Sequence, residues 1–213
     1  MDDPPATPVD DDAVDVAVTA TTYAENAPDL VEKYLDFSLF ERHGDAFRDA
    51  LPTPRDRPPR VLDVGCGPGA DTAPMADAGL DVVGLDLTPQ FLHEAREQAP
   101  DARLLRGDMR ALPVATATFE GLWSSAAFLH LPRSEATPTL DGFHRVLAPR
   151  GALLLSVMAS ETRDADAVEL PDGRRFTFWQ EESIRDRLRE AGFAEVRALG
   201  GEENWHALLA VRD

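Results

Sequence analysis

The chain has 213 residues, with 39 acidic side chains against 21 basic ones and a formal net charge of −18. That length suits one domain with small appendages and buries a core without metal staples, and the single cysteine excludes an internal disulfide framework. No uncharged apolar run reaches the ~18–20 residues of a membrane span, no Cys/His cluster has zinc spacing, and the opening MDDPPATPVDDD is acidic where a signal peptide is basic and then apolar, so a soluble cytoplasmic protein is expected.

Residues 1–18, rich in Asp, Pro and Ala, read as a disordered acidic tail. Residues 19–51 read as a helical N-terminal cap. Tyr23 to Phe37 carries Leu30, Val31, Tyr34 and Leu35 at helical spacing, with Pro28 suited to the first turn of the main helix. A second short helix is expected over Leu39 to Leu51. PTPRDRPP then acts as a linker, since proline stops a helix.

From Arg60 onward strands and helices alternate, and 60–213 reads as the main domain. Val61–Val64 is a short buried strand, Asp71–Ala78 a helix stopped by Gly79, and Asp81–Leu85 a second strand. Thr88 caps a helix over Pro89–Gln98, with proline at its first position. Ala102–Leu105 and Phe119–Ser124 are further strands. Ser134 or Glu135 opens a helix carrying Leu140, Phe143 and Val146, and GALLLSVM (151–158) is apolar enough to be buried on both faces. RRFTFWQ reads as an edge or hairpin strand, and EESIRDRLREA as an amphipathic helix closed by Gly192. Two last strands, Ala194–Leu199 and Trp205–Arg212, are joined by GGEEN, a link short enough to require antiparallel neighbours. The pattern is an α/β fold: a mostly parallel sheet with helices on both faces and an antiparallel strand at its end.

The most informative segment is VLDVGCGPGADT (61–72). A buried strand runs into Gly65, Gly67 and Gly69 and then into a helix, so the loop can turn with φ > 0 and bring backbone close to a ligand. Asp86 lies 21 residues after Gly65, at the end of the second strand, where a doubly wound fold places the acid that accepts from ribose hydroxyls. The loop is GxGxG rather than the dinucleotide GxGxxG, and Asp63 precedes it. A carboxylate there repels pyrophosphate but suits an ammonium group. No Gly-Lys-Ser/Thr follows, which excludes a P-loop. A ligand with ribose at one end and an amino acid at the other fits best.

Four blocks in order, VLDVGCGPGADT, GLDLTPQFLHEAR, RGDMRALPVATATFEGLWSSAAFLHLP and RVLAPRGALLLSV, resemble the class I S-adenosylmethionine-dependent methyltransferases. More narrowly, they resemble the small-molecule enzymes of the ubiquinone/menaquinone-biosynthesis-like superfamily. The resemblance covers residues 60–158 in order and 20–213 more loosely. It implies a Rossmann-like, doubly wound, seven-stranded sheet whose last strand is antiparallel, with S-adenosylmethionine as cofactor. By the same resemblance, Asp63, Gly65, Gly67 and Gly69 line the methionine part of the cofactor, and Cys66 within the loop belongs to the cofactor-binding set, its side chain reading as a small packed residue rather than a nucleophile. Asp86 takes the ribose, Leu87 lies beside the adenine, Asp108 takes the adenine amino group with Met109 packing nearby, and Ser124 and Ser125 lie under the cofactor. Tyr23 matches a cap tyrosine that closes over the methionine end. Glu120 and Pro149-Arg150-Gly151 depart from the family's usual Asp and Pro-Gly-Gly.

Methyl transfer is an in-line displacement that depends on alignment in a dry pocket, and a base is needed only for a protonated acceptor. His130, in FLHLP, is the candidate base, with a structural histidine as the alternative. Phe37, Phe40, Phe176, Phe178 and Trp179 are candidates for an apolar acceptor pocket or for the core. No metal site is expected. Lys33 is the sole lysine, and the scattered Asp excess reads as a salt-adapted, halophilic surface, with an acidic face for a basic partner as the alternative. The expected partner is a small-molecule acceptor, with neither nucleic acid nor membrane, for a monomer or homodimer. Methylation of RNA or protein, or cofactor binding without catalysis, are the alternatives.

Overall fold

The structure is a computed structural model that describes residues 7–9, 16–160, 167–200 and 204–213. Its centre is a seven-stranded sheet of β2 (Arg60–Val64), β3 (Asp81–Asp86), β4 (Arg103–Arg106), β5 (Phe119–Ser124), β6 (Leu147–Met158), β9 (Phe193–Ala198) and β10 (Trp205–Arg212). The strand order is β4-β3-β2-β5-β6-β10-β9. Parallel pairing joins β4 through to β6, while β10 pairs antiparallel with both β6 and β9. The chain's last strand is therefore antiparallel as expected, but it inserts between β6 and β9 instead of forming the sheet's edge. The order reverses between β2 and β5, which places a crevice beyond their carboxyl ends.

Side-chain alternation splits the core between the two faces. Leu62 and Val64 of β2, with Leu153 and Leu155 of β6, meet α5 (Arg133–Val146) and α6 (Glu181–Glu190) through Phe143, Val146, Ile184 and Leu188. Val61, Trp123 and Leu154 face α2 (Phe40–Ala50) and α3 (Thr72–Asp77) through Phe47 and Met75. Trp123 meets the Phe40 and Phe47 rings edge-on at 5.5 and 5.0 Å. The 52–59 linker is tied down by Glu120, which accepts from both terminal nitrogens of the Arg57 guanidinium and from the Arg60 N–H, each at 2.8 Å. Burial opposes the charge, but these bonds hold the Glu120 carboxyl below its ordinary value. At the Pro149-Arg150-Gly151 departure, Arg150 takes φ 64°, where a glycine is conformationally cheaper.

The cap differs from expectation in two places. One helix, α1 (Val16–Leu35), runs straight through Pro28 instead of starting there, and it begins inside the supposed tail. The lost ladder bond is offset by packing: Ala27 and Leu30 are buried against Phe91 of α4 (Pro89–Gln98). Within the expected disordered tail, Thr7–Val9 forms β1, which pairs antiparallel with β7 (Ala167–Glu169), itself paired with β8 (Arg175–Thr177). Local composition missed this strand because its partner lies far along the chain. The remainder of the tail, 1–6 and 10–15, and positions 201–203 of the GGEEN link lie outside the described residues.

Candidate functional site

Above the carboxyl ends of β2, β3 and β5 lies a cavity of ≈ 520 Å³, roofed by α1 and the β7–β8 hairpin. Its floor is the glycine loop. Gly65, Gly67 and Gly69 have φ of 74°, 53° and 99°, as the spacing requires, and Gly65 and Cys66 both donate to the Leu85 carbonyl. Their reasons for being glycine differ. A Cβ on Gly65 would stand 2.2 Å from the Ala127 Cβ, and one on Gly69 3.2 Å from the Ala95 Cα in α4. A Cβ on Gly67 would meet nothing within 4 Å. Gly67 thus bares its backbone to the cavity, whereas Gly69 serves helix packing and does not line it.

Three of the expected acids line this end. Asp86 Oδ2 accepts from Gly67 N–H at 2.9 Å and its Oδ1 from Thr88 N–H at 2.7 Å. Asp63 is 1% exposed and accepts from the Thr72 hydroxyl at 2.6 Å. Burial, then the nearby charge of Asp71, pushes the Asp63 carboxyl well above its ordinary value, and burial raises that of Asp86. Asp108 caps the turn Met109–Ala111 and is gripped by the Arg110 guanidinium at 2.7–3.1 Å. Burial disfavours that charge too, but Arg110 holds its carboxyl below the usual range. Leu87 and Met109 complete the lining here. Asp71, read in the sequence only as the start of a helix, also lines the cavity and anchors the cap: it accepts from Ser38 Oγ, Phe40 N and Trp123 Nε1 at 2.8–2.9 Å.

At the roof end, Tyr23 and His130 come together. His130 Nδ1 lies 3.0 Å from the Arg175 carbonyl, which only accepts, so Nδ1 carries the proton. Nε2 is left to accept from the Tyr23 hydroxyl at 2.9 Å. Tyr34 O–H points to Tyr23 at 3.4 Å, and Arg174 donates to Tyr34 at 2.8 Å. Every hydrogen in this chain, from Arg174 to the Arg175 carbonyl, has one direction. Burial, aided by the Arg174 charge, lowers the His130 pKa to about 4. The ring is thus neutral, and its lone pair is occupied. Burial also raises the Tyr23 phenol well above its ordinary value.

Other expected positions divide. Ser125 lines the cavity and Ser124 does not: successive strand residues face opposite ways, and Ser124 is fully buried at the end of β5. Cys66 packs its sulfur over Gly84, and burial pushes its thiol well up, away from nucleophile character. Phe37, Phe176 and Phe178 line the cavity, while Phe40 and Trp179 are core. Sequence reasoning missed Arg174, Tyr34 and Phe91. The RRF segment was visible, but nothing local distinguishes an arginine turned inward.

Residues 61–151 match the methyltransferase domain family. That segment is a methyltransferase domain. The chain is 33% identical over 149 residues to a malonyl-[acyl-carrier protein] O-methyltransferase of Enterobacter lignolyticus (strain SCF1), covering 70% of this chain and 57% of that relative. It is 36% identical over 103 residues to a demethylmenaquinone methyltransferase of Renibacterium salmoninarum, covering 48% and 43% of the two chains. The chain thus spans less than two thirds of these relatives. Among solved structures, the Burkholderia thailandensis 1,6-didemethyltoxoflavin-N1-methyltransferase, crystallised with S-adenosylhomocysteine, superposes with a TM-score of 0.79 at 21% identity. That match covers 97% of this chain and 94% of the other. The methyltransferase-domain match contains the floor of the cavity, with the glycine loop, Asp86 and Asp108, while the roof lies outside it.

Proposed function

We propose that this protein is an S-adenosylmethionine-dependent methyltransferase that modifies a small molecule. The observation that carries the reading is the acidic, open floor of the cavity, where Gly67 is bare and Asp63, Asp86 and Asp108 face one space. The donor set suits the cofactor. Asp63, buried, and Asp86, half-buried near it, favour a ligand with a positive charge and hydroxyl donors. Asp86 would hold the ribose hydroxyls, Asp108 and Met109 the adenine, and Gly65–Gly67 with Asp63 the methionine end. Cys66 backbone, Leu87 and Ser125 would complete the cradle, and Tyr23 would close over it. When bound, the cofactor supplies an electrophilic methyl carbon on a sulfonium. The chain's own part is to align the acceptor and exclude water beneath α1. His130 orients Tyr23 in this reading rather than acting as the base.

Purified protein should bind S-adenosylmethionine and S-adenosylhomocysteine and ignore NAD in calorimetry, and an acceptor screen should detect S-adenosylhomocysteine release. Binding of NAD without S-adenosylhomocysteine would reject the proposal.

The finer setting rests on composition: a cytoplasmic protein, monomeric or homodimeric, with a salt-adapted surface and no nucleic-acid or membrane partner. A net charge of −18 makes the folded chain repel itself. Salt shortens the Debye length from ~10 Å at 0.1 M to ~3 Å at 1 M. The melting midpoint should therefore rise as KCl is raised from low to molar concentration. A flat or falling midpoint would favour an acidic docking face instead.

A further inference from the structure

The cavity is electrically polarised. The charged side chains at its glycine-loop end are acids, whereas those at the roof end are Arg174 and Lys33. Lys33 is the sole lysine of a chain of net charge −18. Arg174, at 8% exposure, is the one arginine in the buried class among the described residues. Burying a guanidinium is costly unless its charge is compensated. Its carboxylate partner, Asp172, is 36% exposed and bonds Nε and one terminal nitrogen at 2.8 Å, from outside the cavity lining. The other terminal nitrogen donates to Tyr34. The guanidinium also stands over the Tyr23 and Phe176 rings, 5.5 and 5.8 Å from their centroids. Asp172, Tyr34 and two aromatic faces therefore fix a planar, five-donor cation at a cavity wall.

We propose that Arg174 selects the acceptor: the roof end takes a small molecule with an apolar or aromatic body and an ionised oxygen group, a carboxylate or an equally acidic hydroxyl, that accepts from the Arg174 fork. Phe176, Phe178 and Phe37 provide the wall for the body, and Lys33 stands exposed at the same end. A neutral acceptor would gain no ion-paired bond from the guanidinium, and a cationic one would meet like charge. The inference rests on the methyltransferase reading and deepens it.

The test is calorimetry at neutral pH on the full chain saturated with S-adenosylhomocysteine. The probes are matched acids and amides of growing size: acetate and acetamide, benzoate and benzamide, 2-naphthoate and 2-naphthamide. At least one acid should bind about tenfold or more tightly than its amide, the scale of one charge-assisted contact. Arg174→Gln should abolish the preference while S-adenosylhomocysteine still binds, and Arg174→Lys should keep the order at weaker affinity. Wild-type protein that binds no acid better than its amide overturns the inference even if Arg174→Gln does not fold, and so does a folded Arg174→Gln that keeps the preference. Failure of wild-type protein to bind S-adenosylhomocysteine overturns the methyltransferase reading instead.

Discussion

Asp86→Ala is expected to weaken S-adenosylhomocysteine binding by about 2–4 kcal/mol, on the order of 30- to 1,000-fold. Two losses combine. A carboxylate that can accept from ligand hydroxyls disappears, and the N–H groups of Gly67 and Thr88 lose their acceptors at 2.9 and 2.7 Å. The second loss loosens the loop before any ligand arrives, so the unliganded protein should also melt earlier. Asp86→Asn is not a silent control, because its amide N–H₂ must face one of those two donors. The measurement is calorimetric affinity for both variants beside their melting curves. Affinity like wild type for Asp86→Ala would show that the end of β3 is not where the ligand binds.

Gly65→Ala should instead damage the fold itself, by roughly 2–5 kcal/mol. A left-handed φ costs a non-glycine residue about 1–2 kcal/mol and overpacking about 1–3. Here φ is 74° and the new methyl would sit 2.2 Å from the Ala127 Cβ, so both penalties apply. Gly67→Ala is the informative contrast. Its methyl meets no protein atom within 4 Å, so the cost to folding is limited to the backbone conformation. That methyl would, however, occupy space the ligand needs. Urea unfolding should separate the pair, with Gly65→Ala the less stable, while Gly67→Ala stays folded and loses affinity. Equal stability of Gly65→Ala and wild type would contradict the packing described between the glycine loop and the segment after β5.

Where the signal is local, the sequence and structure agree closely. The helix Pro89–Gln98 was legible because Thr88 and Pro89 mark its start, and β10 because WHALLAVR is an apolar run after a turn. Most of the cavity floor was legible for the same reason: one loop and one strand end carry it. The spacing of three glycines, however, does not say which one faces a ligand and which a helix, and Gly69 belongs to the helix. Asp108 was read for its acidity, although Arg110, two residues on, already grips it. The roof end was largely illegible because its bonds join distant residues. Arg174 reaches Tyr34 across 140 positions, and His130 reaches Tyr23 across 107. No pattern of propensity or periodicity records such a meeting.

The roof also has a history set by chain order. Its first pieces, β1 and α1, leave the ribosome before any of the surfaces they cover. Phe91, against which α1 buries Ala27 and Leu30, comes some sixty residues later, and the pairing partner of Thr7–Val9 comes only at Ala167–Glu169. Strand β1 therefore cannot pair until β7 has been made, whereas α1 can pack as soon as α4 has. Two pieces of one roof are thus tied to the body over very different spans of chain, α1 by a contact some sixty residues on and β1 by a pairing some 160 residues on.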